Sequence, residues 1–169
     1  MNDASVLREP VVVVVCDETD SLGELDRWTA LVQAVLTTEG VHGPAEANVT
    51  FVDAEVMAEL NREHMDTDGP TDVLSFPIDG ADGPDGESAE GTVGFIGDLI
   101  VCPSVAAANA PEHAGNLDDE LAVLLVHATL HLIGHDHAEP DERDAMWDAE
   151  RRLVAQHWRP LSTDPWARR

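Results

Sequence analysis

The sequence predicts one α/β domain spanning residues 1–169, in which a small mixed β-sheet is flanked by helices and a metal site sits on a long helix and the turn after it. Three observations lead there. Short β-branched runs alternate with longer stretches of helical periodicity, and no internal repeat interrupts them. A length of 169 residues with 43% apolar content fills one core, whereas two domains would each be thin.

The elements follow in order. Residues 11–15, closing at Cys16, are continuously apolar and β-branched, the pattern of a strand covered on both faces. Ser21 and Glu24 form a capping-box pattern ahead of Leu22, Leu25, Trp28, Leu31, Val32, Val35 and Leu36. Their helical spacing predicts a helix to about Thr37, ended by Gly40 and Gly43. Residues 48–52 read as a second strand, and Asp53 as the N-cap of a helix through Glu63 with Val56, Met57 and Leu60 inward. Residues 73–76 predict a third strand. Nothing large and apolar follows Ile78 until the next strand, so residues 79–90 are expected to be a mobile acidic loop. Residues 95–101 predict that strand, and 103–110 a short helix ending before Pro111.

Asn116, followed by Asp118, Asp119 and Glu120, marks a helix start that the dipole favours, and Leu121, Leu124, Leu125, Ala128 and Leu132 carry that helix inward until Gly134 closes it. A last helix is expected from Pro140 to His157, packing through Met146, Leu153 and Val154. The termini are expected to be flexible.

Charge and composition bound the function. No apolar run approaches the ~18 residues of a membrane span, and the start MNDASVLREP is unlike a signal peptide, so a cytoplasmic protein with no membrane partner is expected. Cys16 and Cys102 sit in apolar runs and are expected to be buried thiols rather than a disulfide. Acids number 34 against 9 bases, all arginine, for a net charge of −25, which repels polyanions at long range and counts against non-specific nucleic-acid binding. Arg151, Arg152, Arg159, Arg168 and Arg169 are concentrated in the last nineteen residues. That segment is expected to supply part of a phosphate contact, the alternative being that Arg151 and Arg152 pair with neighbours such as Asp148 and Glu150.

Half of the eight histidines lie between positions 127 and 137. His127 and His131 are one helical turn apart, so both imidazoles leave the same side of a helix, and Gly134 permits the left-handed turn that returns His137 to the same place. Three nitrogen ligands leave a fourth tetrahedral position open, as in a catalytic zinc site, so one Zn²⁺ per chain is expected on His127, His131 and His137. His135, just past the glycine, is expected to point outward, the alternative being that it is itself a ligand with His131. Asp136 is a candidate hydrogen-bond acceptor beside the ligands, or a solvated turn aspartate. The spacing H-x-x-x-H-x-x-G-x-x-H also occurs in metzincin proteases, but those carry a general-base glutamate directly after the first histidine, where this chain has Ala128.

The segment from His127 to His137 resembles the signature H-G-x-L-H-L-x-G-y-D-H of the bacterial rRNA maturation factors called YbeY, departing at Ala128 and His135. Asn61 with residues 70–77 (PTDVLSFP) resembles that family's second motif, and residues 97–100 (GDLI) its third, in the family's order. The resemblance implies a zinc-dependent, single-strand-specific endoribonuclease acting in 16S rRNA 3′-end maturation and 70S ribosome quality control. Its implied partners are the 16S rRNA precursor and the small ribosomal subunit, with no DNA. The family usually has an arginine where this chain has Met65; Arg62, within one helical turn, is a candidate substitute or an ordinary exposed arginine. Thr71 and Ser75 are candidate substrate-binding residues on a strand beside the metal. A ribosome-assembly protein with structural zinc, and less readily a zinc peptidase, are the alternatives.

Overall fold

The structure, a computed structural model, describes residues 8–78 and 94–167. The acidic stretch 79–90, both outermost ends and the arginines at 168 and 169 lie outside the described residues. A four-stranded mixed sheet has the order β1-β2-β4-β3, built from β1 (Val12–Asp17), β2 (Ala45–Phe51), β3 (Val73–Pro77) and β4 (Gly94–Val101). β1, β2 and β4 run parallel, and β3 pairs antiparallel with β4. The helices are α1 (Asp26–Thr38), α2 (Ala54–Met65), α3 (Pro103–Asn109), α4 (Leu117–Leu132) and α5 (Pro140–His157), with a 3₁₀ turn over Ala110–Glu112. The expected α/β fold is therefore present; β2 starts three residues before its expected bound, and the other three strands differ from theirs by one residue at one or both ends.

Register assigns the faces. Val15, Val49, Leu99 and Ser75 lie in one row across the sheet, and Cys16, Thr50, Ile100 and Leu74 in the next. The first face packs against α1 and α4, and α5 packs on those two helices, to make the main core, which includes Trp28, Phe51, Leu99, Leu125 and Leu153. On the second face α2 contributes Met57 to a smaller cluster with Val52, Leu74 and Cys102. That cluster covers only part of the face, so β1 alternates instead of being buried on both sides: Val13 is buried while Val12 and Val14 are 56% and 47% exposed. The valine run thus misleads about depth. Cys16 shares the uncovered face and is exposed, against expectation, while Cys102 is buried.

The capping box expected at Ser21 does not form. The Asp17 carboxylate instead accepts the backbone N–H groups of Thr19, Ser21 and Leu22, at 2.9, 3.1 and 3.1 Å, which closes a turn and delays the helix to Asp26. Burial opposes the charge on Asp17, but these bonds outweigh it and hold its pKa below the ordinary carboxylate value. Asp53 does cap α2, accepting from the Val56 N–H at 2.9 Å. Asn116 caps α4 in the same way through the Asp119 N–H, also at 2.9 Å.

α4 is the central helix. From Asp119 to Leu130 every residue but His127 is buried, so the helix meets protein all round except where its histidines emerge. Its C-terminal end is set against the sheet by Gly97, whose φ of +150° sits at a register shift between β2 and β4. A Cβ there would meet Leu132 Cδ1 at 2.7 Å and the Phe76 carbonyl closer still, so only glycine lets α4 and β3 approach β4 this tightly.

Candidate metal centre

Helix pitch brings His127 and His131 together, their ring centroids 4.7 Å apart. The chain then leaves α4 through Gly134, at φ +105°, and the His135 N–H bonds back to the Leu130 carbonyl at 3.0 Å. This turn returns His137 to 4.8 and 5.7 Å from the other two rings. One nitrogen from each of His127, His131 and His137 lies within 4.8 Å of the others, a set able to hold one metal ion. His135 takes another direction, its Nε2 lying 3.9 Å from the Glu39 carboxylate. Asp136 accepts the His137 N–H at 2.7 Å and so fixes the turn that carries that ligand.

The donor set suits a cation. Burial, reinforced by the neighbouring His127 and His137, holds the pKa of His131 below the ordinary imidazole value, which keeps its nitrogen unprotonated. His127 is oriented from behind, because its Nδ1 bonds Oε1 of Glu150 on α5, a carboxylate with no exposed surface. The other oxygen of Glu150 accepts the indole N–H of Trp166 at 2.7 Å. With Nδ1 bonded to this carboxylate, the remaining Nε2 of His127 is the nitrogen available to a metal, the usual carboxylate–histidine support of a metal ligand.

Sequence reasoning missed Glu150 and Trp166. A signal existed: Glu150 falls on the stripe Met146, Leu153 and Val154 that α5 buries, and an acid on an apolar stripe requires a buried partner.

The histidines border an open cleft of about 660 Å³ between β3 and the turn after α4, lined also by Met65, Asp72, Ser75, Pro77 and Asp136. Ser75 faces α4 and donates its hydroxyl to the Ala128 carbonyl at 3.0 Å, which ties β3 to the helix that carries His127 and His131. Ala128, at the position where a metzincin carries its glutamate, is buried. Thr71 and Arg62 do not line this cleft. The Thr71 hydroxyl lies 3.4 Å from the Asp72 carboxylate, and Asn61, near Arg62 on α2, uses its side-chain amide to hold the Gly69 carbonyl at 2.8 Å.

Among the described residues, Arg151, Arg152 and Arg159 do not stand free for phosphate. Arg152 pairs with Glu39 at 2.8 Å, Arg159 with Asp119 at 2.7 Å, and Arg151 lies 3.8 Å from Asp164; neither Arg151 nor Arg152 uses Asp148 or Glu150. Burial works against the charge on Asp119, but bonds from Trp158, Asn116 and Arg159 prevail and lower its pKa. These bonds fasten the segment after α5 to the start of α4.

Comparison with known proteins identifies the family. Residues 15–157 match the family described as Endoribonuclease YbeY. Proteins named Endoribonuclease YbeY from Salinispora tropica and Thermobifida fusca are each 40% identical to this chain, over 87% and 89% of it and 96% of their own lengths. One from Micrococcus luteus is 47% identical over 69% of this chain and 73% of its own. A solution structure of a Thermotoga maritima protein superposes with a TM-score of 0.60 at 26% identity, covering 86% of this chain and 89% of that one.

Proposed function

Because this chain belongs to the Endoribonuclease YbeY family, we propose that it is a zinc-dependent endoribonuclease specific for single strands. In this reading it acts in the cytoplasm on the 3′ end of the 16S rRNA precursor and in 70S ribosome quality control, with the small ribosomal subunit as its partner. The observation that carries the reading is the convergence of His127, His131 and His137 beside an open cleft, with Glu150 bonded behind His127.

A bound zinc ion supplies Lewis acidity toward a phosphoryl oxygen and activates water near neutral pH. The residues of the chain do the rest. His131 stays unprotonated and offers a nitrogen, Glu150 holds His127 in one tautomer, and Asp136 holds the His137 turn. Ser75 acts by fixing β3 against α4, so that strand backbone borders the cleft where an RNA backbone would lie. A flexible single strand can lower its phosphate into such a cleft, whereas an A-form duplex presents its backbone on a rigid cylinder.

The test is incubation of purified protein with single-stranded RNA, duplex RNA and an unstructured protein, each with and without chelator. Cleavage of the single strand alone, stopped by chelation, is expected. A second reading, a ribosome-assembly protein with structural zinc, draws on Met65 standing where the family usually has arginine and on the charge of −25. It wins if metal-replete protein binds small subunits and leaves RNA intact. Cleavage of the unstructured protein instead would indicate a peptidase.

A further inference from the structure

We propose that Arg143, held on the ring of Trp147, binds an RNA phosphate adjoining the one at the histidine site, so that the strand crosses the three histidines into a second cleft. The proposal rests on the endoribonuclease reading and adds to it a substrate contact.

The second cleft, about 270 Å³, shares Asp72, Val73, His127 and His137 with the first, and Arg143 and Trp147 of α5 stand on its own wall. The two clefts therefore meet at the metal ligands and form one track on either side of them. A phosphate on this track meets a difficulty, since the protein carries a charge of −25 and Asp72 borders both clefts. A phosphate adjoining the one at the histidine site lies beyond a metal held there and needs a side-chain cation of its own on the track to offset that field.

Elimination among the described arginines identifies it. Arg27, Arg151, Arg152 and Arg159 are held by Asp118, Asp164, Glu39 and Asp119. Arg62 and Arg8 line neither cleft. Arg143 lines the second and forms no ion pair among the described residues; its guanidinium lies 5.0 Å from the centre of the Trp147 ring. Trp147 is half-buried against the main core, so it offers a fixed plane on which the guanidinium rests while its N–H fork stays available for phosphate oxygens. Trp147 is thus a positioning residue for Arg143. The track carries its cation on α5 instead of at position 65.

The test uses the zinc-loaded full chain and a short 2′-O-methyl oligoribonucleotide that cannot be cut through its 2′ position, with affinity measured by fluorescence anisotropy across a salt series. Arg143→Gln should weaken binding about tenfold at low salt and shallow the slope of log K against log salt by about 0.7, the loss of one single-strand phosphate contact. Trp147→Ala should weaken binding in the same direction and Trp147→Phe restore it, with zinc content unchanged in all three. An Arg143→Gln protein with the parent's affinity and slope overturns the proposal, as does a slope that responds to Arg62→Gln instead. Cleavage by the parent is read separately. If the parent cuts RNA while Arg143→Gln changes nothing, the contact is wrong and the nuclease stands; if the parent cuts nothing yet the slope depends on Arg143, the reverse holds.

Discussion

Replacing Glu150 with glutamine keeps the volume of the side chain and removes its charge, at a site with no exposed surface to relieve the mismatch. The carboxylate accepts two hydrogen bonds, from His127 Nδ1 and from Trp166 Nε1. A primary amide has one oxygen and one NH₂, so it cannot accept from both. If its oxygen keeps the Nδ1–H of His127, its NH₂ faces the Trp166 N–H, donor against donor. If it turns to serve Trp166, its NH₂ donates to Nδ1 and the imidazole proton moves to Nε2, the nitrogen a metal would use. Either way one charge-assisted bond is lost, costing roughly 1.5–3 kcal/mol. Loss of a hydrogen-bonding partner behind a metal ligand lowers affinity about 10–100-fold, or roughly 1.4–2.7 kcal/mol. Competition of zinc against a chelating indicator should show that drop, and circular dichroism should show the helices intact. Zinc affinity within twofold of the parent would refute the claim that Glu150 sets the tautomer of His127.

Further outcomes are expected. His131→Ala should abolish stoichiometric zinc by elemental analysis, while His135→Ala, whose ring faces Glu39, should retain one equivalent. Gly97→Ala should destabilise the fold by about 1–3 kcal/mol in urea titration, since its methyl group would meet Leu132 and the Phe76 carbonyl; unchanged stability would show that β4 relaxes freely. The metal-free protein should lose stability as pH falls below 6.5, because the folded state holds the pKa of His131 beneath that ordinary value and the unfolded chain takes up the proton first; above 6.5 this contribution is flat, and His131→Ala should remove it. A thiol reagent should label Cys16 in the native state and leave Cys102 untouched until unfolding.

What could be read from the sequence was local. The i, i+4 histidines, Gly134 and His137 announce their convergence because helix pitch and a left-handed glycine are properties of a few consecutive residues. The caps at Asp53 and Asn116 are legible for the same reason. The five valines ending at Val15 mislead because composition reports what a strand can bury, whereas what covers it is decided by α2, which packs through Met57 on Leu74 without reaching β1. Ser21 has the pattern of a cap, but the Asp17 carboxylate takes the nearby backbone N–H groups. Glu150, Trp166 and the partners of Arg152 and Arg159 depend on segments that are distant along the chain, and pairing across such distances leaves little local mark. Thr71 and Arg62, nominated by proximity to motifs, lie off the cleft, while Ser75 lines it with its hydroxyl already committed to Ala128.

The uncovered face of β1 gives the net charge a second meaning. Among the described residues β1 has one strand neighbour, so it stands at a sheet edge with Val12 and Val14 outward, the kind of edge on which another molecule's strand can add. A charge of −25 holds like molecules apart before such edges meet. That protection is colloidal. It fades as carboxylates protonate toward about pH 4, and it shortens in reach from about 8 Å at physiological ionic strength to about 3 Å in molar salt. Salt that eases the approach of RNA therefore also eases the approach of a second copy, and the protein's useful range of ionic strength is bounded on both sides by the same electrostatic field.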